Sequence, residues 1–145
     1  MPRASVLLAD DNLAILELVA RMLARTDNYE IVAALTDGSA VMREVFLLKP
    51  DVVILDISMG ELNGIEVARD LRDSGCQSKV VFLTVHEDAD FLNAAMNVGG
   101  SGYVVKSRLS TDLVSAIDAV LSGKVFVSQT LLYQPHSSMK WPSKT

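Results

Sequence analysis

Five short runs of aliphatic and β-branched residues recur along the chain: "SVLLA" at 5–9, "YEIVAAL" at 29–35, "DVVILD" at 51–56, "KVVFLT" at 79–84 and "GYVVK" at 102–106. Each is too short for a helix and too uniformly apolar for a strand with one wet face, so the pattern predicts strands buried on both sides, as in a parallel sheet. Between them lie helix-length segments with apolar residues three and four apart. Leu13, Leu16, Val19 and Leu23 mark the first, Val41, Val45 and Leu48 the second, and Leu113, Ile117, Val120 and Leu121 the last. Strand then helix, five times over, implies right-handed crossovers and an α/β doubly wound five-stranded parallel sheet with helices on both faces. From "KVFVSQ" onward the alternation fails, and "YQPHSSMKWPSKT" is rich in Ser, Pro and Lys, as expected of a linker. The expected division is a domain over 1–128 and a C-terminal tail, or the start of a linker, over 129–145.

In a doubly wound sheet the ligand site forms beyond the carboxyl ends of the strands, where the winding reverses. The first strand ends at Asp10 and Asp11, the third at Asp56, the fourth at Thr84 and the fifth at Lys106. Three acids, a hydroxyl and an ammonium therefore converge on one edge. One acid after the first strand is explained by helix capping, since Asp oxygens accept from free N–H groups at a helix start. The second is not. Magnesium prefers oxygen ligands and is held by one or two carboxylates plus water and phosphate oxygens, so a three-Asp pocket suits it. A carboxylate is also a nucleophile toward phosphorus. With Asp56 in that role, the metal and Lys106 neutralise charge on the transferring group and Thr84 donates a hydrogen bond to it.

Composition narrows the picture. At 145 residues, half of them hydrophobic, the chain has the size of one domain with a continuous core. Eighteen acidic against 13 basic residues give a net charge of -5, which argues against phosphate-backbone binding and for a cation or a protein partner. Cys76 is the only cysteine, excluding an internal disulfide, and His86 and His136 are too isolated to suggest zinc. The N-terminal apolar run is too short for a signal peptide or a membrane span, so a soluble cytoplasmic protein is expected. Met22, Met42 and Met96, at helical positions, are read as core filling, and Trp141 as packing on a neighbouring surface or mobile.

"VLLADDN", "DVVILDISMGELNG", "VVFLT" and "GYVVK" together resemble the receiver domain of bacterial two-component response regulators, in the transcription-regulator branch related to nitrate-response proteins. The resemblance runs from about Ser5 to Ser128 and implies a flavodoxin-like (βα)5 fold with strand order 2-1-3-4-5. It implies that Asp56 is the phosphoryl acceptor and that Mg2+ is held by Asp11 directly, by Asp10 through water, by Asp56, and by the backbone carbonyl of Ser58. Thr84 and Lys106 match the pair that binds the phosphoryl group, and Tyr103 matches the aromatic that turns inward when the threonine moves. The implied partners are a histidine kinase or phosphotransfer protein, with a small acyl phosphate as an alternative donor. A homodimer through the fourth helix, fifth strand and fifth helix is expected, with no direct nucleic-acid binding by this chain.

Three positions depart from the pattern. Gly60 stands where a proline is usual, predicting a less rigid loop. Val85 follows Thr84 where a smaller residue is common and is expected to crowd the site. Ser107, not proline, follows Lys106. The alternatives are the receiver part of a DNA-binding transcription regulator, for which 129–145 is too short to supply a helix-turn-helix domain, and a phosphatase of the haloacid dehalogenase type. The latter needs an acid two residues after its nucleophile, where this chain has Ser58.

Overall fold

The computed structural model describes residues 3–129. The five expected strands form as β1 (Ala4–Ala9), β2 (Tyr29–Leu35), β3 (Val52–Asp56), β4 (Lys79–Thr84) and β5 (Gly102–Val105). Helices α1 (Leu13–Ala24), α2 (Val41–Leu48), α3 (Gly64–Asp73), α4 (Ala89–Asn97) and α5 (Leu109–Leu121) alternate with them. The sheet is parallel and ordered β2-β1-β3-β4-β5, as expected, but it does not stop there. Phe126–Val127 adds a sixth strand, β6, parallel to β5. The alternation was expected to fail from Lys124, and two residues are too few to show a period; β6 forms because the open edge of β5 leaves N–H and C=O groups to pair.

Along each inner strand, successive side chains enter opposite cores. Leu7, Val53, Leu55 and Phe82 pack in the cluster that includes residues of α2, α3 and α4, while Val6, Leu8, Ile54, Val81 and Leu83 pack in the one that includes α1 and α5. Burial on both faces explains the uninterrupted apolar runs. β2 is the exception, because it is an edge strand, and of its residues only Tyr29 is buried. Leu13, Leu48 and Leu121 were expected in the apolar stripes but are exposed. Leu13 opens α1, and Leu48 and Leu121 close α2 and α5, so each lies at a helix end rather than over the sheet. Met22, Met42 and Met96 do pack against the cores. Among the described residues, no helix is long and apolar enough to cross a membrane. Trp141 and His136 lie outside the described residues.

Candidate functional site

Register sets the site. Ala9 pairs with Leu55, so Asp10 and Asp56 both follow that level; Asp56 pairs with Leu83 and Thr84 with Val105, which steps Thr84 and then Lys106 outward along the same edge. The acids of "ADDN" are not spent on capping. Asn12 is the N-cap of α1, its side-chain oxygen accepting from Ala14 N–H at 3.0 Å and Ile15 N–H at 3.3 Å. Asp10 and Asp11 are thereby left to the pocket.

Asp10 is fully buried and Asp56 nearly so, whereas Asp11 is exposed. One carboxylate oxygen from each lies within 4.8 Å of the others. Lys106 Nζ stands 2.9 Å from Asp10 Oδ2 and 3.4 Å from Asp56 Oδ2. Asp10 Oδ1 accepts from Asn12 N–H at 2.8 Å, but the buried Oδ2 has no aligned hydrogen-bond donor, only the ion pair. Burial, then the Asp10 charge, push the Asp56 carboxyl up from 3.8 to about 6, against the downward pull of Lys106. Burial pulls the Lys106 ammonium down, yet the Asp10 and Asp56 carboxylates outweigh it and hold the ammonium above its ordinary value. An all-oxygen set with two buried acids and one solvent-open acid, whose three carboxylates outnumber the single ammonium among them, fits a hard divalent cation that retains water.

Two residues after Asp56, Ser58 N–H donates to Asp56 Oδ1 at 3.2 Å. Ser58–Met59 and Leu62–Asn63 form a two-stranded antiparallel ribbon whose tip contains Gly60. Gly60 has φ +60° and donates its N–H to Asp11 Oδ2 at 3.2 Å. A proline could do neither, so the departure expected to loosen this loop supplies a tether to the acid cluster. Behind Asp56, Gly64 N–H donates to Ile57 O at 2.6 Å, and a Cβ on Gly64 would collide with the Asp56 carbonyl oxygen.

Thr84 is fully buried, and its Oγ1 accepts from His86 N–H at 3.1 Å. Tyr103 already lies inside, 2% exposed, with its hydroxyl donating to His86 O at 2.8 Å. The inward turn expected to follow a threonine movement is thus present with Thr84 hydrogen-bonded to His86. Burial, then Asp88 and Glu87, hold the Tyr103 hydroxyl well above its ordinary range, so it stays a donor. Val85, expected to crowd the pocket, is 65% exposed. His86 is the residue that reaches across instead: its Nε2 lies 3.1 Å from Ser58 Oγ and its ring stacks on Phe91 at 3.8 Å. Sequence reasoning passed over it because its contacts join segments 28 residues apart. The Asn12 cap was the signal that could have been read, as Asn directly precedes the apolar stripe.

Residues 6–118 match the family model described as the response regulator receiver domain. The transcriptional regulatory protein DegU of Brevibacillus brevis is 31% identical over 125 residues, covering 86% of this chain and 53% of that protein. The transcriptional regulatory protein DesR of Bacillus subtilis is 32% identical over 133 residues, covering 92% and 66%. Among solved structures, a LuxR-family two-component response regulator from Aurantimonas sp. SI85-9A1 superposes with a TM-score of 0.81 at 31% identity, covering 86% of this chain and 89% of that one. A LuxR-family DNA-binding response regulator from Staphylococcus aureus gives 0.76 at 27%, covering 81% and 98%. The chain spans between 53% and 66% of the length of these two curated relatives.

Proposed function

Since the chain belongs to the response regulator receiver domain family of two-component systems, we propose that Asp56 is its phosphoryl acceptor and that phosphorylation there alters a protein-interaction surface. The carrying observation is that Lys106 Nζ faces Asp56 Oδ2 at 3.4 Å and Asp10 Oδ2 at 2.9 Å inside a three-carboxylate pocket. A carboxylate oxygen of Asp56 attacks the phosphorus of a kinase phosphohistidine. The P–N bond breaks as the P–O bond forms, the imidazole leaves with the electron pair and takes a proton, and an acyl phosphate remains on Asp56. A small acyl phosphate donates in the same way, leaving as a carboxylate. Hydrolysis by water at phosphorus releases inorganic phosphate and restores the acid, so the only chemistry is on the domain itself.

Asp11, Asp56 and the Ser58 carbonyl, with Asp10 through water, would hold Mg2+, which would supply charge neutralisation for the transferring group. Lys106 carries its ammonium from Asp56 to the phosphoryl oxygens, and Thr84 exchanges its hydrogen bond from His86 N–H for a donated one to the same group. Tyr103, anchored on His86 O, fixes the main chain that Thr84 must leave. In this reading the chain works in the cytoplasm beside a histidine kinase or phosphotransfer protein. The α4-β5-α5 face is the one that changes, and it pairs with a second copy or an output domain.

Intact mass after incubation with acetyl phosphate and Mg2+ tests the acceptor. A single phosphoryl adduct is expected in the wild type and none in Asp56→Asn or with chelator. An equal adduct in Asp56→Asn refutes the assignment.

A further inference from the structure

Lys106 sits in a 3-10 turn, Lys106–Arg108, between β5 and α5, and one buried acid holds its far end directly and its near end through a serine hydroxyl. Arg108 donates to Asp112 twice, Nε to Oδ2 at 2.9 Å and a terminal nitrogen to Oδ1 at 3.3 Å. Ser128 Oγ donates to the same Oδ2 at 2.7 Å. That hydroxyl in turn accepts from the N–H of Val105, the residue before Lys106, at 3.2 Å. Asp112 and Ser128 are 6% and 1% exposed. Val105, Ser128, Asp112 and Arg108 thus form a chain of hydrogen bonds that bridges the two flanks of the residue whose ammonium meets Asp10 and Asp56.

The bridge does something the sheet does not. β5 ends at Val105, β6 pairs only with Gly102 and Tyr103, and Ser107 leaves φ free where a proline would fix it. Without Ser128, the Val105 N–H at the root of the lysine turn loses its acceptor. Asp112 is buried too deeply to be left half-paired. Ser128 is also where the chain leaves the sheet after Phe126–Val127, its own N–H still bonded to Tyr103 O at 2.9 Å. A group bound by Lys106 and the register of the departing chain therefore share one set of hydrogen bonds, and coupling between them is reciprocal.

We propose that Arg108, Asp112 and Ser128 are positioning residues for Lys106, and that through Ser128 they tie the phosphoryl pocket to the end of β6. This rests on the reading that Lys106 binds the phosphoryl group. The test uses the 145-residue chain with Mg2+ alone and with Mg2+ plus beryllofluoride. The wild type binds both. Ser128→Ala is expected to keep Mg2+ affinity, which the acids provide, but to bind the mimic about tenfold more weakly, the scale of one buried hydrogen bond; Ser128→Thr, which keeps the hydroxyl, recovers most of it. In the wild type, with no substitution at all, the mimic is expected to slow hydrogen exchange at the Val105 amide.

An unchanged mimic affinity in Ser128→Ala, or loss of Mg2+ and mimic in equal measure, overturns the positioning role in favour of a merely structural one. An unchanged Val105 exchange overturns the tie to the end of β6. A wild type that binds Mg2+ but no mimic refutes the phosphoryl reading itself, and the proposal with it.

Discussion

Replacing Asp56 by Asn should stabilise the domain when no divalent cation is present. Asp56 is buried and adjoins the Asp10 charge, which together push its carboxyl up from 3.8 to about 6. A carboxyl raised on folding favours the protonated native state, so the penalty is absent below the unfolded value, builds as pH rises from 3.8 to about 6, and is constant above that. At about 1.4 kcal/mol per unit, the rise amounts to about 3 kcal/mol at pH 7.5 and roughly half that at pH 5. Asn keeps the shape and removes the charge, although Lys106 then loses one of its two carboxylates, so a net gain of about 1–2 kcal/mol at pH 7.5 is the expectation. The assay is urea unfolding followed by far-ultraviolet circular dichroism, with chelator, at pH 7.5 and pH 5. The gain should shrink on acidification. Adding Mg2+ should stabilise the wild type and narrow the difference, because binding to the native state alone adds stability by mass action. An Asn variant no more stable than wild type at pH 7.5, or a gain that grows toward pH 5, would refute the account of Asp56 as a charge confined against its environment.

Lys106→Met removes the ammonium that both buried acids face, and should lower metal-free stability by about 3 kcal/mol while slowing acetyl-phosphate labelling at least tenfold, read by unfolding and by intact mass. Gly64→Ala places a Cβ against the Asp56 carbonyl and 3.0 Å from Ile57 Cα, both backbone, so a loss of about 3 kcal/mol and a lower thermal midpoint are expected; an unchanged midpoint would contradict the close approach of α3 to β3. With a net charge of -5, the chain should show no sub-micromolar, sequence-dependent affinity for duplex DNA at moderate salt in an equilibrium titration.

Much of this was legible in the sequence for a physical reason: strands buried on both faces must be apolar throughout, so "VLLA", "VVIL" and "VVFL" announce themselves, and the first polar residue after each marks the sheet edge. Asp10, Asp56 and Thr84 are those residues; Asp11 comes next to Asp10, and Lys106 follows the fifth run, "YVV", in the same way. What stayed hidden depends on partners distant in the chain. Nothing near Ser128 signals Asp112, and nothing in "TVHED" says that the His86 backbone will serve both Thr84 and Tyr103. Gly60 read as a loss of stiffness because only its missing ring was considered; its N–H matters only once Asp11 is beside it. The exposed Leu13, Leu48 and Leu121 kept a helical period that says nothing about where the sheet beneath runs out.

The order β2-β1-β3-β4-β5 puts the acids on the neighbouring strands β1 and β3 and their counter-charge two strands away, after β5. β1 and β3 both end by residue 56, and in the folded domain their pairing sets Asp10 and Asp11 beside Asp56. Lys106 lies 50 residues further on, past two more crossovers, and the N–H before its turn is held by Ser128, later still in the chain. The negative charge of the pocket is thus encoded wholly within the first 56 residues, while the ammonium that offsets it in the folded domain comes from the far half of the sheet, so the pocket is balanced only when both halves are joined.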